Sequence, residues 1–474
     1  MTVIDRIYIN GHFVEPHGCE FFDLFNPATA CVIGQVRLGD EHDAEAAVAA
    51  AKLAFPAFSR TSRDERIALL GRMADALAAR RQALVDAIVE EFGAPVTLAG
   101  WMADHAVSVF HDAASVLKRY EFVRPVGTAD VVMTPLGVAA LITPWNGNAG
   151  SICGKLAAAL AAGCTVVVKP SEMSAMQTRV VSEALHAAAP PRGVVNIVTG
   201  RGDVVGSALV AHPDVKKVSF TGSTTVGKSI AREAAETLKR VTLELGGKSP
   251  VIVLDDADFA TTIPLAVQAG FMNSGQACVA GTRLLVPSSR LKETEILAAA
   301  TASAMVVGDP LDPATAIGPL VSAKQWDRVQ RYIQIGMEEG ARLVVGGPGR
   351  PIDGEGWYVH PTIFSDADNG MTISREEIFG PVITIIPYND EEEAISIAND
   401  TTYGLQAYVM TSDDARARRV GERIDAGRVL LNTLAHEPEA PFGGFKQSGL
   451  GREYGSFGLD GFLEPKAVLG VRMA

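Results

Sequence analysis

From about residue 138 the chain alternates short apolar strands with helices, and few folds accommodate that rhythm. Residues 138–142 predict a strand and 151–161 a helix, followed by a strand at 166–169 and a helix at 177–188. The pattern repeats with 194–198 and 204–211, then 217–221 and 226–235, and closes with strands at 240–244 and 251–254. Strands separated by helices predict a parallel sheet with right-handed crossovers. A second α/β run extends from 283–286 to about Asn432, with helices at 322–336 and 390–398, and the boundary between the two falls near 244–249. Residues 42–92, upstream of both, are Ala-rich with helical spacing. A chain of 474 residues predicts two or three domains rather than one.

Composition removes several functional classes. Hydrophobic residues make up 47% of the chain and charged residues 20%, enough for a large core and against global disorder. The formal net charge is −13, with Lys and Arg scattered, which argues against nucleic acid and anionic membranes as partners. The longest apolar tract, 156–168, is too short to span a bilayer. The N-terminus lacks the basic start and apolar core of a secretory signal. Five cysteines without a Cys-x-x-Cys pair, and nine histidines without ligand spacing, predict neither disulfides nor a metal site. A reducing, cytoplasmic setting fits best.

Two segments carry the most chemistry: Leu-Glu-Leu-Gly-Gly-Lys-Ser-Pro at 243–250 and Gly-Gln-Ala-Cys-Val-Ala-Gly-Thr-Arg at 275–283. They offer a carboxylate, Glu244, and a thiol, Cys278; a thiolate beside a base suggests covalent catalysis at a carbonyl. Cys153 and Cys164 lie in Ala-rich stretches and read as small core residues. At 219–227 a strand passes through Gly222-Ser223 into a helix, a phosphate-binding turn or an ordinary connection. Lys169 and Glu172 follow another strand and either bracket a ribose or form a solvated loop. Asn146, after Thr143-Pro144-Trp145, is an oxyanion donor or a turn residue. Glu377 and Phe379 lie in a segment that contacts a nucleotide or ends a helix. Asn432 and the glycine-rich loop 441–449 read as ordered backbone near a site.

Taken together, the segments at 144–146, 169–172, 220–223, 244–248, 275–278, 376–381 and 441–444 resemble the aldehyde dehydrogenase superfamily in its order and spacing, over nearly the whole chain. The resemblance implies an α/β fold with a Rossmann-type cofactor domain at 1–115 and 136–246 and an α/β catalytic domain at 247–447. A small β oligomerisation element would comprise 116–135 and 448–474. It implies a homodimer or homotetramer, with a tail strand near 468–471 crossing between subunits. It also implies that Cys278 attacks an aldehyde, that Asn146 and the Cys278 N–H hold the oxyanion, that hydride passes to NAD, and that Glu244 activates the water releasing the acid. Glu453 would relay protons, and Lys169 would serve both the catalytic and the cofactor set. Cofactor contacts would come from Ile142, Trp145, Lys169, Ser171, Glu172, Gly202, Gly206, Phe220, Thr221, Gly222, Ser223, Val226, Leu245, Gly246, Glu377 and Phe379.

Three finer expectations follow. The presence of Glu244 favours water over coenzyme A as acyl acceptor. Glu172 favours NAD over NADP, because its charge repels a 2′-phosphate. Many relatives place an aromatic and a proline after Pro-Trp-Asn, whereas this chain has Gly147 and then small residues at Ser151 and Gly154. These predict a wide tunnel and a bulky, aromatic or branched aldehyde, with Trp101 and His105 as further tunnel candidates. The competing classes are a cofactor-independent thiol esterase on the same residues and a non-catalytic scaffold protein.

Overall fold

The computed structural model describes residues 2–470. Its two large sheets are those the strand–helix rhythm requires. The first has eight strands in the order Gly449–Leu450, Arg240–Glu244, Val215–Thr221, Val138–Ile142, Thr165–Lys169, Val195–Ile197, Ile7–Ile9, His12–Val14. Its five inner strands are parallel, and the outer ones run antiparallel. The chain builds outward from Val138–Ile142 in one direction, then returns to its other side with Val215–Thr221, creating a switch point where ligands bind in such sheets. The second sheet has seven strands, ordered Arg342–Val345, Thr362–Ser365, Val382–Tyr388, Arg283–Pro287, Pro250–Val253, Gln406–Met410, Arg428–Leu431. Only its first strand is antiparallel. The inner strands of both sheets are buried on both faces and rich in Val, Ile and Leu, as helix-covered parallel strands must be.

Four local features differ from the sequence-based expectation. The helix expected at 151–161 spans Asn148–Ala162. Its first turn is fixed by the fully buried Asn148, whose amide oxygen accepts from Thr143 and whose amide nitrogen donates to Thr178. The helix expected at 204–211 is a π-turn, Gly202–Gly206, running into Ser207–Ala211. The tail strand, expected to lack a local partner, is Leu463–Leu469 and pairs along its length with Ala129–Pro135 of the same chain; Val471 lies outside the described residues. Alternation identifies a strand but not a partner so distant in sequence. Gly449–Leu450, expected within the terminal element, instead hydrogen-bonds to the edge of the eight-stranded sheet.

Glu91, on the helix Arg81–Phe92, accepts the N–H groups of Met176 (2.7 Å) and Gln177 (2.8 Å) and so caps the helix Ala175–Ala187 from outside. Burial pushes its carboxyl up to about 8. Glu91→Ala would leave two buried donors without acceptors, at a cost on the order of 2–4 kcal/mol. A lowered midpoint of thermal unfolding is the expected result, only partly restored in Glu91→Gln, whose amide keeps one of the two acceptors.

Candidate active site

Strand register brings the candidate residues to one rim. Thr221 pairs with Glu244, Phe220 with Ile142, and Ile142 with Lys169, so four parallel strands end side by side. Past these ends, Lys169 forms an ion pair with Glu172 (3.1 Å), and Ser171 caps the short turn Glu172–Ser174. Ser223 caps the helix Thr224–Ala235 by accepting from Val226 N–H. That helix reaches the strand end because Gly227 has no side chain; a Cβ there would lie 2.4 Å from a Leu245 methyl. Gly222 is held as tightly against the Phe220 ring. Glu377 comes from the other half of the chain, accepts from Gly247 N–H (2.9 Å), and leaves no room for a side chain at Gly246. Phe379 meets Trp145 edge-to-face at 5.4 Å. Gly202 and Gly206 flank open space. Arg201, beside that turn, feels the charge of Glu172 but is ion-paired with Glu20 (2.8 Å).

Cys278 sits on a loop that only unusual backbone can form. Asn273 and Ser274 have positive φ (54° and 55°), as does Gly275 (72°), where a Cβ would collide with Gly380 backbone. Gly247 is packed so closely on the Cys278 carbonyl that a Cβ there would lie 2.3 Å away. Asn146 Nδ2 donates to Gln276 O (2.9 Å), and Asn273 Nδ2 donates to both Asn146 O and Gln276 O (3.1 Å each). The amide and the thiol are therefore positioned by one network, and both line a cavity of about 410 Å³. Burial, then the charges of Glu377 and Glu244, pushes the Cys278 thiol up to about 12.

Glu244 and Glu453 do not line that cavity. Glu244 is 2% exposed, with neither carboxylate oxygen hydrogen-bonded, and it lies against Gly443. Burial, reinforced by the charge of Glu453, raises its pKa well above the carboxylate range. Glu453 pairs with the buried Lys155, which also donates to Ser219 (3.0 Å). Lys155, Ser219 and Glu453 line a second, narrower cavity. Tyr454 borders both cavities; burial, then the charge of Glu453, raises its pKa, with smaller contributions from Glu244 and Cys278. Neither Tyr454 nor Lys155 was singled out in the sequence; a lysine immediately before the 156–168 apolar tract was the available signal.

The tunnel expectations divide. Gly147 lines the Cys278 cavity with open space beyond it, as does Trp101, which is 56% exposed and stacked on His105 at 5.2 Å. Ser151 and Gly154 do not line it; Gly150 does, and Gly154 faces the second cavity. Gly154 falls on nearly the same helical stripe as Gly147 but about 10 Å farther along the axis. Helical periodicity in a sequence gives the stripe but not which cavity lies at that height along the axis. His105 and His436 both line the cavity, and burial lowers both, His436 to about 4. As expected, Cys153 and Cys164 are buried, and burial raises both thiols. The imidazoles of His17 and His42 and the carboxylate of Asp40 lie close together at the surface, brought there by folding.

The model of the aldehyde dehydrogenase family matches residues 13–468. A 3-succinoylsemialdehyde-pyridine dehydrogenase from a Pseudomonas species is 47% identical over 469 residues, 98% of each chain. Among solved structures, a mutant of aldehyde dehydrogenase C from Pseudomonas syringae, in complex with NAD+ and octanal, superposes with TM-score 0.97 at 46% identity, covering 99% of this chain and 97% of that one. The Mycobacterium tuberculosis aldehyde dehydrogenase complexed with NAD+ gives 0.95 at 40% identity, covering 99% and 98%.

Because the Cys278 thiol is pushed upward, its thiolate fraction grows about tenfold per pH unit below the pKa. Inactivation of the free protein by iodoacetamide should therefore accelerate steadily from neutral into alkaline pH. A plateau near neutrality would contradict the raised pKa.

Proposed function

The chain belongs to the aldehyde dehydrogenase family, and on that premise we propose that it oxidises an aldehyde to the carboxylic acid with NAD as hydride acceptor. The observation that carries this reading is the shared network holding Cys278 and Asn146 on the wall of one cavity, beside the aligned strand ends. Cys278, once deprotonated, adds to the aldehyde carbon. The remaining Asn146 amide hydrogen and the Cys278 N–H supply donors for the oxyanion. Loss of hydride leaves a thioester on Cys278. Glu244, its pKa raised by burial, takes a proton from the water that cleaves it. Its side chain must first turn from Gly443 toward the thioester. Lys155, Ser219 and Glu453 form the polar chain on its far side, and we assign proton relay to Glu453.

The rim fits a dinucleotide. Gly222, Gly227 and Gly246 let the loops and the helix pack closely on the strand ends, Gly202 and Gly206 border open space, the capped helix end favours phosphate, and the Lys169–Glu172 pair offers a donor and an acceptor to a ribose. When bound, the nicotinamide would supply the hydride acceptor. Glu172 supports NAD over NADP, and Arg201, already engaged by Glu20, offers no free cation to a 2′-phosphate. The cavity, open at Gly147, supports a bulky aldehyde; the related enzymes named for a pyridyl semialdehyde and bound to octanal fit that size. We also propose the 1–115 with 136–246, 247–447, and 116–135 with 448–474 division, with Gly449–Leu450 reassigned to the cofactor sheet. Homo-oligomerisation is proposed through the exposed edge near Leu469. A cytoplasmic location is likewise proposed; among the described residues no helix is long and apolar enough to cross a membrane.

NADH formation from an aldehyde panel tests the reading. Wild type should turn over with NAD at least about tenfold more efficiently than with NADP, a difference of about 1.4 kcal/mol. Cys278→Ala should give no NADH; in wild type, ester hydrolysis that depends on Cys278 with no NADH formed from any aldehyde would favour the thiol esterase. Separately, kcat/KM for benzaldehyde-sized substrates should exceed that for acetaldehyde by about tenfold or more, through added apolar burial. Clear preference for acetaldehyde would remove the bulky-substrate proposal.

A further inference from the structure

Among the described residues, the Cys278 cavity is lined by a single side chain charged at neutral pH, Arg428. No Asp or Glu lines it, and its two histidines are held neutral by burial. Arg428 opens the strand Arg428–Leu431, paired with Gln406 across the sheet, and stands over the Phe442 ring at 5.4 Å. It lies among Tyr408, Tyr454, His436 and Cys278, which sense its charge or are sensed by it. Among the described residues its guanidinium forms no ion pair and donates no hydrogen bond. Its nitrogens are not among the sealed, unpartnered atoms of the interior. Several cations of the interior are satisfied by the protein itself, whereas Lys248 Nζ, sealed from solvent, has no partner among the described residues. Arg283 donates to the carbonyls of Lys248, Ile397 and Ala398, Arg66 to those of Ala161 and Ser59, and Lys155 pairs with Glu453. Arg428 keeps its donors for something that enters the cavity.

We propose that Arg428 is an anion anchor and that the substrate is an aldehyde carrying a carboxylate elsewhere in the molecule, an ω-oxo acid whose oxidation yields a dicarboxylate. The proposal rests on the dehydrogenase reading above and narrows its substrate class. A guanidinium presents a planar fork of donors matched to a carboxylate. The aldehyde oxygen cannot fill that role, because it belongs to the donors at Cys278. An all-hydrocarbon aldehyde would strip water from the guanidinium and return no acceptor, which disfavours its binding. A guanidinium serving only the Cys278 sulfur would speed all aldehydes alike, and this separates the two roles.

The experiment compares ω-oxo acids of increasing chain length with n-alkanals of matching length, in wild type, Arg428→Gln and Arg428→Lys, scoring kcat and KM separately. It also titrates adipate and hexanoate into each protein by calorimetry. Expected for wild type is an optimum oxo-acid length with kcat/KM about tenfold above the matched alkanal, expressed mainly in KM. Arg428→Gln should bring the ratio within about twofold, and Arg428→Lys should keep part of it. Adipate should bind wild type more tightly than hexanoate, with the difference lost in Arg428→Gln. The anchor is overturned if wild type shows no oxo-acid preference at any length, or if Arg428→Gln depresses both series by the same factor. Absence of NADH from every aldehyde, with the adipate preference intact and dependent on Arg428, would reject the dehydrogenase reading and leave the anchor. NADH from alkanals with equal binding of the two acids would reject the anchor alone.

Discussion

The register of the parallel strands is the constraint on which the site depends. Ile142, Lys169, Phe220, Thr221 and Glu244 lie side by side only because their strands pair in step. A slip of one residue would turn each side chain to the opposite face of the sheet and move the loop that follows it. The register is held by strands buried on both faces, where a slipped alternative would have to repack the core on both sides.

The second requirement is close backbone approach, both where the two halves of the chain meet and within the second half. Gly246 lies against Glu377, Gly247 against the Cys278 carbonyl, and Gly275 against Gly380, each at a distance that excludes a Cβ. The segment joining the halves, 244–248, carries a buried acid at one end and a buried lysine at the other. Burial pushes Glu244 up and Lys248 down to about 7, so both can shed charge in surroundings that would penalise it. The same dryness that raises the Glu244 carboxyl makes the Cys278 thiol reluctant to ionise, and the two shifts share one main cause.

Much of this was legible in the sequence. Strand–helix alternation located every inner strand of the first sheet to within a few residues, because buried parallel strands must be apolar and their connecting helices amphipathic. Cys278, Glu244 and Asn146 were recognisable from the segments around them. Long-range geometry was not legible. Gly154 shares a helical stripe with Gly147 yet opens on a different cavity, and Leu463–Leu469 has a partner that no local pattern names. Tyr454 and Arg428 were invisible because a tyrosine after a glutamate and an arginine after a glycine are unremarkable until folding sets them around one space.

The late origin of certain segments has a consequence for how the protein is made. Val123–Val126 and Ala129–Pro135 are synthesised long before Leu463–Leu469, the strand that covers the edge of Ala129–Pro135. Gly449–Leu450, beside Glu244, and Gly443, against its carboxylate, also follow Glu244 by a long stretch of chain. Until those segments are made, the nascent chain carries an open sheet edge and an incomplete candidate site, and an open edge is a template for pairing with other chains.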